Sequence, residues 1–458
     1  MLRANSRLRH KLGPAEIDLL THIAGSVERI LPHVERPKWT EEAWREPGSF
    51  WNGNDRREIR VTIGIGKKDN LNSRSLTCLI RRRQASGARA VSRTLDTREY
   101  DICKKIALRI TDVMALIASG TPDQLTFEST ITAIRGSFDE SVIAEHIRSH
   151  HGLEMAVSSV FGALHTLSEQ TYENKALVFG CILDPSKTSQ NGSQFPEPFL
   201  GSKKYKALSD GFKTAYHVAK TGTVIDFVEL QRVSAPNLTE RHFFPDWTEP
   251  MARISRQAKC GITLTRQGDL LVFDEGTLRF TYRYGSWRYW NHSHLINLLR
   301  DRARAQRVRP EVVGTVIGSI YRAALDVSFR RSGGLFVILH NQNQIRHIVR
   351  EGDAIGDRRR IQSDREFDRV VEAHKMQSLP RAVAVELASL DGAMVLANSG
   401  KILAYGAILQ PKKVGRLRGS EGSRTKAAIG ASNYGLALKI SSDGDMTVYY
   451  KGEEFFRM

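Results

Sequence analysis

The apolar hexapeptide Gly334-Leu-Phe-Val-Ile-Leu339 is the segment that most directly decides the fold of this chain. Six apolar residues between Ser332-Gly333 and a polar loop are typical of a buried strand. Helical spacing precedes it around Ile317-Gly-Ser-Ile320-Tyr321, and an Asp-Gly turn at Leu390-Asp391-Gly392-Ala393 follows it, before a further strand at Gly400-Lys-Ile-Leu403. Helices that alternate with strands, followed by late hairpins, predict an α/β fold: a mixed β-sheet flanked by helices.

An earlier part of the chain has the same elements in the same order, which indicates an internal duplication. The matching segments are Val157-Ser-Ser-Val160-Phe161, the apolar strand Ala176–Leu183, Ser209-Asp210-Gly211-Phe212 and Gly222-Thr-Val-Ile225. At the ends of the copies we expect Gly276 to correspond to Gly444. We also expect the aromatic hairpin at 283–289 to correspond to the one at 451–456.

With 458 residues, the chain is long enough for about three domains. We predict an N-terminal α/β region of unknown role over 1–148, with a strand at 60–67 and a helix at 100–119. The two copies then occupy 149–300 and 310–458, and a basic helix and linker at 295–309 joins them.

Composition narrows the class of protein. The net charge of +18 favours polyanionic partners, although a solvated basic surface explains it equally well. No apolar run approaches the roughly 18 residues of a membrane span, and basic residues interrupt the N-terminus before a signal peptide could form. Four widely spaced cysteines predict reduced thiols without a zinc site. We therefore expect a cytoplasmic protein that does not contact the membrane.

A basic, glycine-rich loop in the second copy is the strongest candidate for a binding site. Small residues let backbone N–H groups approach a phosphate, Ser423 adds a hydroxyl donor, and a helix beginning near Lys426 adds a favourable dipole. A basic loop of this kind is also compatible with a plain solvated surface. The residues concerned are Lys412, Lys413, Gly415, Arg416, Arg418, Gly419, Gly422, Arg424 and Lys426.

Four motifs follow one another within about residues 312–458: Ser332-Gly-Gly-Leu-Phe-Val-Ile338, Asp391-Gly392-Ala393, Gly422-Ser423-Arg424-Thr425-Lys426-Ala-Ala-Ile-Gly430 and Ser441-Ser442-Asp443-Gly444. In this order they resemble the catalytic domain of the diadenylate cyclase family, whose members join two ATP molecules into cyclic di-AMP.

The resemblance implies a role for each matching residue. Asp391 would bind Mg²⁺ or Mn²⁺ and prepare the ribose 3′-hydroxyl, with Asp443 as a second metal ligand. Arg424 and Lys426 would hold phosphates and complete the catalytic set with Asp391. The nucleotide-binding residues implied are Gly392, Ala393, Gly422, Ser423 and Thr425. The family's site forms between two domains that face each other, so ATP and a second copy of the chain are the implied partners.

The chain departs from the family pattern at several positions. Thr425 replaces a histidine, Lys426 an arginine and Ser442 a glutamate, which leaves Asp443 as the only acid of its hairpin. In the first copy, Phe212 stands where the second has Ala393, so an aromatic ring would fill the adenine pocket. We therefore expect the first copy to be a degenerate sensor, a dimerisation module or a scaffold.

Three functions remain open from the sequence. The chain is a diadenylate cyclase with an N-terminal regulatory region, a weakened relative that senses a nucleotide or cyclic dinucleotide, or a nucleic-acid-binding protein. Without the resemblance, Asp391 would be interpreted as a turn-capping residue.

Two further groups of residues have alternative interpretations. The histidines at 146, 150, 151, 292 and 294 suggest metal, but no cysteine or acid completes a set at ligand spacing, so we expect surface or helix-end histidines. Trp287 and Trp290 beside Arg288 suggest a platform for stacking bases, or sheet packing.

Overall fold

The computed structural model describes residues 14–43, 48–51, 56–65, 74–82, 94–118, 124–189, 191–196, 208–234, 236–304, 308–411 and 422–458. They form two compact units. The first consists of Met1–Leu238 and Pro250–Trp290, and the second of Thr239–Glu249 and Asn291–Met458.

The first unit begins with a helical layer and a small antiparallel sheet. The strand predicted at 60–67 and the helix predicted at 100–119 are confirmed, as β3 and α2 below. The sheet has the order β1-β4-β3-β2. The elements are α1 (Pro14–Ile30), β1 (Trp39–Ala43), β2 (Gly48–Trp51), β3 (Glu58–Ile65), β4 (Arg74–Arg81), α2 (Thr97–Ala118) and α3 (Gln124–His151).

A larger mixed sheet completes the first unit, in the order β13-β12-β11-β10-β7-β8-β9. Only β7 and β8 are parallel among its described pairs. The elements are α4 (Val157–Ser168), β5 (Thr171–Tyr172), β6 (Lys175–Ala176), β7 (Phe179–Asp184), β8 (Thr214–Ala219), β9 (Val224–Glu229), α5 (Glu249–Ser255), β10 (Cys260–Leu264), β11 (Leu270–Asp274), β12 (Thr277–Arg283) and β13 (Ser286–Tyr289).

The second unit is built on a six-stranded sheet in the order β16-β15-β14-β17-β18-β19. The predicted strand at Gly334–Leu339 is its central strand β14, buried at every position. The elements are α6 (His292–Ala303), α7 (Pro310–Arg330), β14 (Gly334–Leu339), α8 (Gln362–Glu372), α9 (Arg381–Ser389), β15 (Ala393–Ala397), β16 (Ile402–Ala407), α10 (Ser423–Ala431), β17 (Gly435–Ile440), β18 (Met446–Tyr450) and β19 (Glu453–Arg457).

These mixed sheets and flanking helices confirm the predicted α/β class. The two larger sheets share one order of strands. In each, a parallel pair (β7 and β8, β14 and β15) has one antiparallel strand beyond its second member, and a run of antiparallel strands beyond its first.

Strand order corrects the predicted correspondence near the end of each copy. Counting outward from the parallel pair, β10 matches β17 and β11 matches β18, so the turn between β17 and β18 corresponds to 265–269. By position in the strand order, Gly444 therefore matches Gly268 and not Gly276. In both turns the glycine N–H donates to the first residue of the turn, Thr265 or Ser441. Repeated glycine hairpins look alike in sequence, which explains the one-strand slip.

The division into units differs from the three predicted domains. Helix α3 runs through the predicted boundary at 148, and one continuous core includes Leu19 of α1, Phe161 of α4 and Tyr289 of β13. Because the helices of the N-terminal region pack into the same core as the larger sheet, the first 290 residues, apart from 239–249, form one unit.

One helix in the described part of the chain, α7, is long and apolar enough to cross a membrane by length and composition. Arg322 and Asp326 interrupt its apolar residues, so it is not an uninterrupted apolar run of the kind excluded above. Within the fold, 72% of its most apolar window is buried. That burial is typical of a core helix.

Candidate functional site

One edge of the second unit's sheet collects most of the predicted site residues. Strands β14 and β15 are parallel, with Phe336 opposite Met394, so both begin at this edge. Strand β17 is antiparallel to β14, with Gly334 opposite Ile440, so it ends there. The Asp391-Gly392 turn and the 441–445 turn therefore lie at the same edge.

Asp391 has an exposed carboxylate that accepts no hydrogen bond from any described residue. Its counterpart in the first unit, Asp210, is used differently. One oxygen of Asp210 accepts hydrogen bonds from the backbone N–H groups of Phe212, Lys213 and Thr214, at 2.6 to 3.0 Å. Asp210 thus caps its own turn, whereas the Asp391 carboxylate is available to a ligand.

Glycines permit close approaches around this turn. Gly392 has a φ of 125°, and a Cβ there would overlap the backbone of Gly406 on the neighbouring strand. Gly333, with a φ of 70°, faces Arg424, and a Cβ on Gly333 would lie 2.5 Å from Nη1 of that guanidinium. Nearby, the Ser332 and Ser389 hydroxyls lie 3.1 Å apart and link the start of β14 to the segment before Asp391.

Helix α10 begins at Ser423, so the predicted loop does lead into a helix. Its first turn carries Arg424 and Thr425 to the sheet edge. The Lys439 ammonium on β17 donates a hydrogen bond to Thr425 Oγ1 at 3.0 Å. Burial and the nearby Arg457 lower the pKa of Lys439. Thr425 is therefore bonded to a lysine of the sheet.

Asp443 lies in the turn between β17 and β18. Its carboxylate accepts a hydrogen bond from the Ser441 hydroxyl, which lowers its pKa and keeps it ionised at neutral pH. In the first unit the corresponding residue, by strand order, is Gln267. The first unit therefore has no acid at this position.

The structure describes some of the other predicted residues. Ala393 is buried at the start of β15, and Gly422, Ser423 and Lys426 are exposed at the start of α10. The loop residues Lys412, Lys413, Gly415, Arg416, Arg418 and Gly419 lie outside the described part of the chain.

The donor chemistry of the edge fits Mg²⁺ or Mn²⁺. Both ions prefer oxygen ligands, and no described residue donates a hydrogen bond to either carboxylate oxygen of Asp391. The Asp443 carboxylate accepts hydrogen bonds from the Ser441 hydroxyl and from the backbone N–H groups of Asp443 and Asp445. Each of these two carboxylates is a residue that would contribute an oxygen ligand to such an ion.

Two residues of interest escaped the sequence analysis. Lys439 was not singled out, because a lone lysine in the apolar strand Gly435–Ile440 gives no sequence signal of its neighbours. Asp274 was missed as well: it lies beside His150 and His151, which precede it by 124 and 123 residues in the chain.

Trp287 and Trp290 are each 1% exposed. The interpretation as a platform for stacking bases is wrong, and sheet packing is confirmed. Trp287 packs against Phe161 and Tyr282, and the Trp290 indole N–H donates to Thr281. The four cysteines are free and buried, as expected for reduced structural thiols.

Comparisons with known proteins give little. No protein-family model and no curated protein matches the chain. Among solved structures, a hypothetical membrane-spanning protein from Bacillus cereus is 18% identical, with a TM-score of 0.23, over 36% of this chain and 76% of that one. A double mutant of DacA from Staphylococcus aureus is 21% identical, with a TM-score of 0.21, over 30% of this chain and 83% of that one. Likeness at this level decides neither fold nor function.

Proposed function

We propose that the second unit binds ATP at the edge around Asp391 and acts as a diadenylate cyclase. The observation that carries this is the exposed carboxylate of Asp391, which no described residue engages, on an edge that also holds Arg424 and Asp443. The identical dipeptide in the first unit uses its carboxylate as a cap.

In this reaction the ribose 3′-oxygen of each ATP bonds to the α-phosphorus of the other, and each bond formed displaces pyrophosphate. Two ATP molecules thus give one cyclic di-AMP and two pyrophosphates. Such transfers depend on positioning and charge neutralisation more than on covalent catalysis. Bound Mg²⁺ or Mn²⁺ would supply charge neutralisation at the phosphates.

The chain's own residues supply the rest. In this proposal Asp391 accepts the proton of the 3′-hydroxyl, and Arg424 and Lys426 neutralise phosphate oxygens. Because Gly392 and Gly333 have no side chains, they leave room at this edge of the sheet. Because each domain holds one nucleotide, the reaction needs two copies of the chain with these edges facing each other.

The first unit is proposed to be a degenerate copy of the second. The shared strand order supports an internal duplication, and Phe212 and Gln267 stand where Ala393 and Asp443 stand in the second unit. Because the first unit lacks the residues proposed for nucleotide and metal binding, we propose a regulatory role for it, in a cytoplasmic protein.

A second candidate, nucleotide sensing without turnover, is favoured by one contact. Lys439 is hydrogen-bonded to Thr425, at the position of the family's histidine. With a lysine–threonine pair at this position, the edge would bind ATP or cyclic di-AMP but would lack a group needed for catalysis.

The test is to incubate the full-length chain with ATP and Mg²⁺ or Mn²⁺ and to measure cyclic di-AMP by mass spectrometry. We expect Asp391→Asn to lower the yield by at least roughly a hundredfold while ATP binding persists. Asp210→Asn is the matched control. It removes the same charge from the same dipeptide, and the amide oxygen can still cap the turn, so its yield should equal that of the wild type.

Cyclic di-AMP from the wild type and from Asp210→Asn, but not from Asp391→Asn, would support the cyclase. Equal product from Asp391→Asn would overturn the proposed mechanism. ATP binding without product would favour the sensor, and the absence of both would contradict either function.

A further inference from the structure

A cluster in the first unit brings together two imidazoles and a carboxylate. His150 and His151 are the last residues of α3, and Asp274 is the last residue of β11. One potential ligand atom from each lies within 4.8 Å of the others. His151 Nε2 is 3.5 Å from Asp274 Oδ1, and His150 Nε2 is 3.6 Å from Oδ2.

The carboxylate of Asp274 has one oxygen without a hydrogen-bond partner. Asp274 is only 4% exposed, and its Oδ1 accepts no hydrogen bond from the described residues. A buried carboxylate oxygen without a hydrogen-bond partner lowers the stability of the folded state. Oδ2 is engaged by Arg98. The carboxylate is thus anchored through one oxygen and presents the other to His151, as a monodentate metal ligand does.

The distances suit a small tetrahedral ion. Two ligand atoms about 2.1 Å from one zinc ion lie about 3.4 Å apart at the tetrahedral angle. The distance from His151 Nε2 to Asp274 Oδ1, 3.5 Å, is close to this value. His150 Nε2 lies 3.6 Å from the other carboxylate oxygen, Oδ2.

The electrostatic surroundings are mixed but compatible with a cation. The cluster lies at the C-terminus of a 28-residue helix, where the helix dipole favours positive charge. Arg98 contacts His150 Nε2 at 3.3 Å and Glu275 at 2.8 Å. When a metal ion binds, Arg98 would lose its contact with His150 and keep its contacts with Asp274 and Glu275.

From this geometry we infer that His150, His151 and Asp274 bind one divalent transition-metal ion of the zinc class, with a fourth position left for water. Two imidazoles and a carboxylate suit Zn²⁺ and its neighbours, whereas Mg²⁺ and Ca²⁺ prefer oxygen ligands alone. The site does not depend on the proposed cyclase activity, because its ligands belong to the other unit.

The experiment uses the full-length chain, freed of metal by a chelator and then exchanged into buffer. Zn²⁺ is titrated by calorimetry, and Co²⁺ by its visible absorption bands, which report four-coordination. We expect one equivalent to bind. His150→Ala and Asp274→Asn should each weaken binding by at least roughly tenfold. His165→Ala is the matched control, because this histidine of α4 is bonded to Glu140 outside the cluster.

His150 is partly exposed, so its replacement should leave the fold intact, and circular dichroism checks this for each variant. Binding that is unchanged in both His150→Ala and Asp274→Asn would overturn the assignment. So would the absence of a saturable, one-equivalent site in the wild type. Asp391→Asn should bind Zn²⁺ as the wild type does, which separates this site from the edge of the second unit.

Discussion

At the scale of single residues, Asp210 and Asp391 show how one dipeptide serves two purposes. Both precede a glycine with a positive φ, so the bend of the backbone is set locally. In the first unit the carboxylate faces the three N–H groups that follow it. In the second unit strand β15 begins only two residues after the aspartate, and the carboxylate remains exposed. The sequence predicts the bend, but not which groups surround it.

Gly392 should be intolerant of any side chain. Gly392→Ala places a Cβ against the backbone of Gly406 and forces a residue with a side chain to adopt a φ of 125°. We expect the free energy of unfolding to fall by about 1–3 kcal/mol, with loss of nucleotide binding. Urea unfolding and ATP titration measure the two effects.

Gly318→Ala in α7 is the control for that substitution. A Cβ at Gly318 would meet Arg322 at an ordinary 3.7 Å, so the free energy of unfolding should stay the same or rise by up to about 1 kcal/mol. Equal stability of the Gly392→Ala variant and the wild type would contradict the steric argument.

At the scale of elements, two ion pairs join α7 to α9. Arg381 forms a bidentate pair with the buried Asp326, at 2.6 and 3.0 Å. One turn further along α7, Arg330 pairs with Glu386 at 2.6 Å, and both side chains are largely exposed. Asp326 also accepts the backbone N–H of Asp246, so the first pair fixes the 239–249 segment to the second unit.

These pairs should differ sharply in their contribution to stability. Arg381→Met leaves the carboxylate of Asp326 buried without its cation, and we expect a loss of about 3–5 kcal/mol in the free energy of unfolding. Arg330→Met removes an exposed pair of the same type and should cost less than about 1 kcal/mol. Chemical unfolding of the second unit measures both. A similar cost for the two substitutions would contradict the role assigned to burial.

The hairpin turns show which elements the sequence predicts well. Tyr284-Gly285 and Lys451-Gly452 both have positive φ at their two central residues, as expected for tight hairpins. Their existence was predicted from the glycine and its flanking residues. The match between the hairpins of the two sheets was predicted with a shift of one strand. Glycine-containing turns recur along the chain, and the sequence of a turn does not show which strands pair with each other.

At the scale of the whole molecule, buried carboxylates make stability sensitive to acid. Burial opposes ionisation of Asp184, but hydrogen bonds from Ser186, His217 and Lys259 outweigh it and lower its pKa to about 2. Glu99 is fully buried, and there too burial is outweighed, by His33 and Arg82, so that its pKa is lowered.

For Asp184, the folded-state pKa lies below the unfolded value of 3.8, so its stabilisation is present above about pH 4 and is lost as the pH falls towards 2. Asp184→Asn should lower the free energy of unfolding by about 2 kcal/mol at pH 6 and flatten its decline in acid. Urea midpoints at a series of pH values measure this. Asp226→Asn, at an exposed position on β9, is the control, and an equal decline in both variants would exclude Asp184 as a cause.

The sequence by itself determined the α/β class, the central strand at 334–339, the helix at 100–119 and the Asp-Gly and hairpin turns. All of these follow from local periodicity and from residues with special backbone preferences, which act over a few positions. Three features were decided only by the tertiary structure: the merging of the N-terminal helices with the larger sheet, the bond between Lys439 and Thr425, and the meeting of Asp274 with His150 and His151. Each joins residues that are far apart in the chain or lie on different elements, and such contacts depend on how strands pair and helices pack, which spacing along the chain does not encode.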